Sequence, residues 1–69
     1  MERIKTFVSE NKDRDDMVGD LCKDLYGDTD FKNKKNDTER RKYIEWIGEI
    51  HPHTKESVTL FFEEYKNKY

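Results

Sequence analysis

The chain has 69 residues, of which 43% are charged and 32% hydrophobic, with a formal net charge of −2 and one cysteine. That length sets a ceiling of one folded unit, a single domain over residues 1–69, burying only about 60% of the surface its unfolded form exposes. The charge balance excludes a generally basic nucleic-acid binder, the lone Cys22 excludes an internal disulfide, and no apolar run approaches the roughly 18 residues of a membrane span.

So polar a composition leans toward disorder, yet nine aromatic residues give a small core large area per side chain. In chain order, Ile4, Phe7 and Val8 share one face of a short first helix that frays near Asn11 to Asp13 and docks on the rest. A second helix follows, N-capped by Asp13 or Asp15 and rich in acids where the macrodipole favours them. Its buried stripe is Met17, Val18, Leu21, Cys22 and Leu25, and Gly27 stops it in the left-handed conformation that glycine adopts readily.

Residues 28–37 form a loop of Asp, Asn, Lys and Thr whose one apolar residue, Phe31, is expected to plug the core. Asn36 or Asp37 caps a third helix, with Glu39 at capping-box spacing from Asn36. Tyr43, Ile44, Ile47 and Ile50 mark its inner face. Gly48 implies either fraying toward Ile50 or close packing of a neighbour.

His51-Pro52-His53 breaks the helix, because the residue before proline is pushed out of helical geometry. Thr54 opens the closing helix, where Val58, Phe61, Phe62, Tyr65 and Tyr69 recur at amphipathic spacing. Four short helices with short links, and no segment of strand periodicity, give an all-α fold.

The chemistry-bearing residues are sparse. Asp28, Asp30 and Glu39 match positions one, three and twelve of a calcium loop, but Lys32 and Asn33 occupy positions five and six, where a ligand and a turn glycine belong. These are read as ordinary loop acids. His51 and His53 lack the further ligands of a structural zinc site and are read as a solvated turn. Cys22 lies on the apolar stripe between Leu21 and Leu25 and is read as a core residue. No nucleophile with its base, no phosphate loop and no cofactor motif is present, so no catalytic, metal or cofactor site is assigned.

The uneven charge is more informative. Residues 1–30 contribute −4, residues 32–42 contribute +4 and residues 43–69 contribute −2. The central strip of Lys32, Lys34, Lys35, Arg40, Arg41 and Lys42 is a candidate surface for phosphate or an acidic protein, set against a solvated and internally neutralised patch. Trp46 lies at the rim of the third helix's inner face and Leu60 projects from the outer side of the last, so both join Lys32, Lys34, Lys35, Arg40 and Arg41 as candidate partner-binding residues.

Asp15-Asp16 at a helix head, Tyr26-x-Asp28-x-x-Phe31, Tyr43-Ile44 on a helix and Val58-x-x-x-Phe62-x-x-Tyr65 on the closing helix resemble the YozE-type family of small bacterial proteins, over residues 15–66. Lys32 stands where such proteins tend to carry a proline, and Phe62 where they carry a tryptophan. The resemblance implies a compact sterile-alpha-motif-like bundle of four or five short helices, in a bacterium or a phage or mobile element that lives in one. It also implies core roles for Tyr26, Phe31, Tyr43, Phe62 and Tyr65. It brings no active site.

The expectation is therefore a non-enzymatic interaction module that binds a protein through its helical surface, with nucleic-acid binding through the basic strip as the alternative. No membrane, cofactor or small-molecule substrate is expected. The start, Met1-Glu2-Arg3-Ile4-Lys5, lacks the apolar stretch of a signal peptide, and a small core without staples suits the reducing cytoplasm.

Overall fold

In the computed structural model, which describes residues 3–69, five α-helices and one 3₁₀ turn fold into a body of 27 × 25 × 21 Å, with no strand among the described residues. The helices are α1 (Ile4–Asn11), α2 (Met17–Tyr26), α3 (Thr29–Lys32), α4 (Asp37–Ile50) and α5 (Lys55–Lys68), with the 3₁₀ turn at Pro52–Thr54 between the last two. The fold is an all-α bundle.

Helix α1 buries Ile4, Phe7 and Val8 almost completely. It carries no cap of its own. Its first amides, on Arg3 and Ile4, donate instead to Asp37 Oδ2 at the head of α4, at 2.7 and 3.4 Å. A carboxylate there meets the positive end of the helix dipole and satisfies donors that would otherwise have no partner.

Helix α2 is capped by Asp16, one or three residues later than expected, with Oδ1 accepting from the Gly19 amide at 2.8 Å. Met17, the first residue of the helix, is 38% exposed instead of belonging to the buried stripe, which is Val18, Leu21, Cys22 and Leu25. Gly27 ends the helix in a right-handed conformation, φ −89°, contrary to the expected left-handed cap. The chain needs no reversal there, because Asp28 restarts a helix at once.

That restart, α3, is an element the loop assignment missed. Asp28 Oδ1 accepts from the amides of Asp30 and Phe31, and the single turn drives Phe31 into the core at 2% exposure, as expected. Asn36 caps α4 by accepting from the Glu39 amide, while Glu39 Oε1 reaches back to the Lys35 amide. The exchange is a capping box displaced by one residue.

The buried line of α4 is Arg40, Ile44 and Gly48, flanked by the partly buried Tyr43 and Ile47. Ile50, expected on the inner face, is 45% exposed. It lies six residues beyond Ile44, which at 3.6 residues per turn is the far side of the helix. Of the two readings of Gly48, close packing holds: a Cβ there would sit 3.3 Å from Val58 Cγ2 of α5.

Thr54 does not cap α5. Its hydroxyl donates backward, to the carbonyls of His51 at 2.7 Å and Ile47 at 3.4 Å, sealing the end of α4 while Pro52–Thr54 forms the corner. In α5, Val58 and Phe61 are buried, and Phe61 is fully enclosed. Phe62 and Tyr65 are only partly buried and Tyr69 is 41% exposed. Adjacent residues point about 100° apart on a helix, so Phe61 and Phe62 cannot share the core centre. Phe61 wins it, meeting Phe7 edge-on at 5.0 Å and stacking on Tyr65 at 6.4 Å.

The core is thus built from α1, α2, α3, α4 and α5 together. A polar clamp ties the α1–α2 link to α5: Arg14 donates to Asn11, Asp16 and both oxygens of Glu64. Its hydrogen bonds to the carboxylates of Glu64 and Asp16 hold the Arg14 guanidinium firmly in its charged form.

Candidate functional site

The basic strip does not form one patch, because α4 turns its members to different sides. Residues Glu39, Lys42, Tyr43 and Trp46 recur at three- and four-residue spacing and share one face. With Asp30 and Lys34 they line an open groove of about 540 Å³. Lys34 Nζ lies 5.0 Å from the Tyr43 ring centroid, and the Trp46 ring is 5.8 Å from Tyr43. Trp46 is 50% exposed, a large apolar surface left in water on the helix that buries Ile44 completely.

The hydroxyl of Tyr43 donates to Asp28 Oδ2, the second oxygen of the carboxylate that caps α3. Burial and then this contact with Asp28 push the phenol up to about 12. The Asp28–Tyr43 bond therefore fixes the floor of the groove from beneath. Two acids and two bases, Asp30, Glu39, Lys34 and Lys42, surround the rings, so the groove is electrically balanced.

The remaining predicted residues scatter. Lys32 sits in α3 with Nζ 5.6 Å from the ring of Tyr26, and Tyr26 itself is 48% exposed, not the core residue that the resemblance implied. Lys35 is exposed at the head of α4, where its amide serves the cap. Arg41 faces the other flank, with its guanidinium 5.0 Å over the Phe62 ring.

Arg40 and Leu60 are corrected by the structure. Arg40 is 4% exposed; it donates to Asp37 Oδ1 at 2.9 Å and to the Lys34 carbonyl at 3.1 Å, and so serves as an internal tie rather than a contact residue. Leu60, read as projecting outward, is partly buried and packs against the core. The α5 helix packs against both α2 and α4, so more than one stripe of it is covered.

The loop acids are occupied by backbone and side-chain duties: Asp28 caps α3 and holds Tyr43, and Glu39 accepts from Lys35. His51 and His53 are exposed, with ring centroids 5.7 Å apart. No cluster of three or more His, Cys, Asp or Glu suited to a metal occurs among the described residues, nor is any helix there long and apolar enough to cross a membrane.

A second groove escaped the reading of the sequence. It runs between α4 and α5, holds about 490 Å³, and is lined by Arg41, Phe62, Tyr65 and Tyr69 with Thr59, Glu63 and Lys66. The signal for it was the pair Phe61-Phe62, since one of two adjacent aromatics on an amphipathic helix must leave the core. No family model, curated protein or solved structure matches the chain.

Proposed function

We propose that this protein is a small non-enzymatic interaction module that binds a protein partner through its helical surface, with the Trp46–Tyr43 groove as a contact face. The exposed Trp46 carries the reading. Tryptophan is enriched in binding hot spots, and here it stands on a rigid helix beside a second ring held in place by Asp28, which lowers the entropy lost on binding. The mixed charges of Asp30, Glu39, Lys34 and Lys42 suit the polar rim of a protein interface. Two carboxylates in the same groove work against phosphate, so the nucleic-acid reading of the strip takes second place. A reducing cytoplasm is the proposed compartment, consistent with the buried thiol of Cys22.

Trp46 is the chain's one tryptophan, so its fluorescence reports directly on this groove. The test is affinity capture from a bacterial lysate with the parent and Trp46→Ala in parallel, followed by titration of the captured protein against Trp46 emission. The expected result is a protein that shifts the emission and is lost with Trp46→Ala while the variant still melts cooperatively. Equal capture by both, or a nucleic acid as the retained species, overturns the reading.

A further inference from the structure

We infer that the groove between α4 and α5 binds a short acidic segment of a partner protein, an inference that rests on the interaction-module reading and assigns the partner's chemistry at a different face. Phe62, Tyr65 and Tyr69 form its floor, with Phe62 and Tyr65 only partly covered by the fold and Tyr69 41% exposed. Cations stand around that floor. The Arg41 guanidinium is 5.0 Å from the Phe62 centroid, the Arg3 guanidinium 5.1 Å from that of Tyr69, and Lys66 lines the same groove.

Against these three cations the groove's lining sets one carboxylate among the described residues, Glu63. Among the described residues, two other nearby acids are engaged elsewhere, while Glu45, one turn beyond Arg41 on α4, lines the adjoining depression with Lys55. Asp37 is held by the Arg40 guanidinium and by the amides of Arg3 and Ile4, and Glu10 pairs with Lys68 at 2.8 Å. The face is therefore locally positive on a protein whose net charge is −2, in contrast to the balanced groove at Trp46.

Three considerations select an acidic peptide. A guanidinium presents a planar fork that matches a carboxylate, and two of the three cations are arginines. Arg41 and Arg3 already cover faces of Phe62 and Tyr69, which removes the open ring faces that single-stranded nucleic acids need for base stacking. A long polyanion would also meet the acidic remainder of the molecule, whereas a short segment feels mainly the three local cations. An apolar side chain between two acids on such a segment would rest on the ring edges.

The test is fluorescence anisotropy at low salt with an end-labelled short peptide of alternating Glu and Leu, its counterpart with Gln for Glu, and an oligothymidylate of equal charge. The Glu–Leu peptide is expected to bind more tightly than either control. Its affinity should fall roughly tenfold in Arg41→Gln/Lys66→Gln, as for loss of two charged contacts, and stay within about twofold in Lys34→Gln/Lys42→Gln. All four positions are surface cations, and a thermal melt of each variant, with Lys66→Gln alone as the milder substitution, confirms folding before binding is compared. Equal binding of the Gln peptide, tighter binding of oligothymidylate, or no loss in the Arg41/Lys66 variant overturns the assignment. Amide shift mapping separates the two proposals: perturbation centred on Trp46 in place of Phe62 and Tyr69 removes this groove's role and leaves the interaction-module reading standing.

Discussion

Arg14 grips both carboxylate oxygens of Glu64 across a sequence separation of fifty residues, joining the α1–α2 link to the last helix. Both side chains are partly exposed, at 33% and 41%, so solvent screening keeps the contribution near the upper end of surface pairs, about 1 kcal/mol. Glu64→Gln should lower stability by about that amount, and the deficit should shrink in high salt. Urea titrations at low and high ionic strength measure both quantities. A deficit independent of salt would mean that Glu64 acts through packing.

The two glycines of the α2 region should respond oppositely to alanine. A Cβ on Gly19 would lie 2.0 Å from the Arg14 carbonyl oxygen, a backbone atom that cannot yield without moving the turn. Gly19→Ala should therefore destabilise by several kcal/mol, about 3 or more, or abolish folding. At Gly27 a Cβ meets nothing closer than 3.8 Å and φ is right-handed, so Gly27→Ala should be neutral or stabilise by roughly 0.4–1 kcal/mol. Paired thermal melts decide the matter.

Phe61→Ala should unfold the protein, since removing a fully enclosed phenylalanine costs about 3–5 kcal/mol and a domain this small holds little more than that in reserve. Phe62→Ala should cost roughly 1–2 kcal/mol, because that ring is already partly solvated. Circular dichroism of the two variants should show a cooperative melt for Phe62→Ala alone. The reverse order would place Phe62 at the core centre.

Much of this was legible in the residues. The all-α class, the Ile4/Phe7/Val8 face, the plug at Phe31, the Asn36 cap and the break at Pro52 follow from local rules, and each appears in the structure. What escaped depended on tertiary neighbours. Arg40 reads as one more base in a basic run, and only the positions of Asp37 and the Lys34 carbonyl show why a guanidinium lies inside. The same holds for Leu60 and Tyr26. Periodicity gives the direction of a side chain from its helix axis but not how far the adjoining helices wrap around it, and in so small a bundle that wrapping decides burial.

Alkaline pH should weaken the fold through Tyr43. Burial, followed by its bond to Asp28, raises the phenol from 10.0 to about 12, so the folded state favours the protonated ring. Its stabilising effect is complete below pH 10 and disappears as the pH rises through 12. Tyr43→Phe should cost about 1 kcal/mol at neutral pH, and the gap to the parent should close across that alkaline window. At the acid end, burial opposes ionisation of Asp37, but the Arg3 amide, the Arg40 guanidinium and the Ile4 amide outweigh it and lower its value below 3.8. The gap between parent and Asp37→Asn should be present above that pH and vanish as acid protonates the carboxylate. Urea midpoints across pH measure both gaps, and parallel curves would contradict both assignments.

Cys22, with no surface in contact with water and a thiol that burial raises to about 12, offers neither access nor thiolate to an oxidant while the protein is folded. Every global opening reverses both conditions at once. Because each chain carries one thiol, the disulfide available to two opened molecules is a cross-linked pair, and neither partner of that pair can re-enclose its Cys22 sulfur in the native core. The burial of a single atom thus converts time spent unfolded into a permanent record: in oxidising buffer heat denaturation becomes a one-way process governed by the opening rate, while a reductant restores it to an equilibrium.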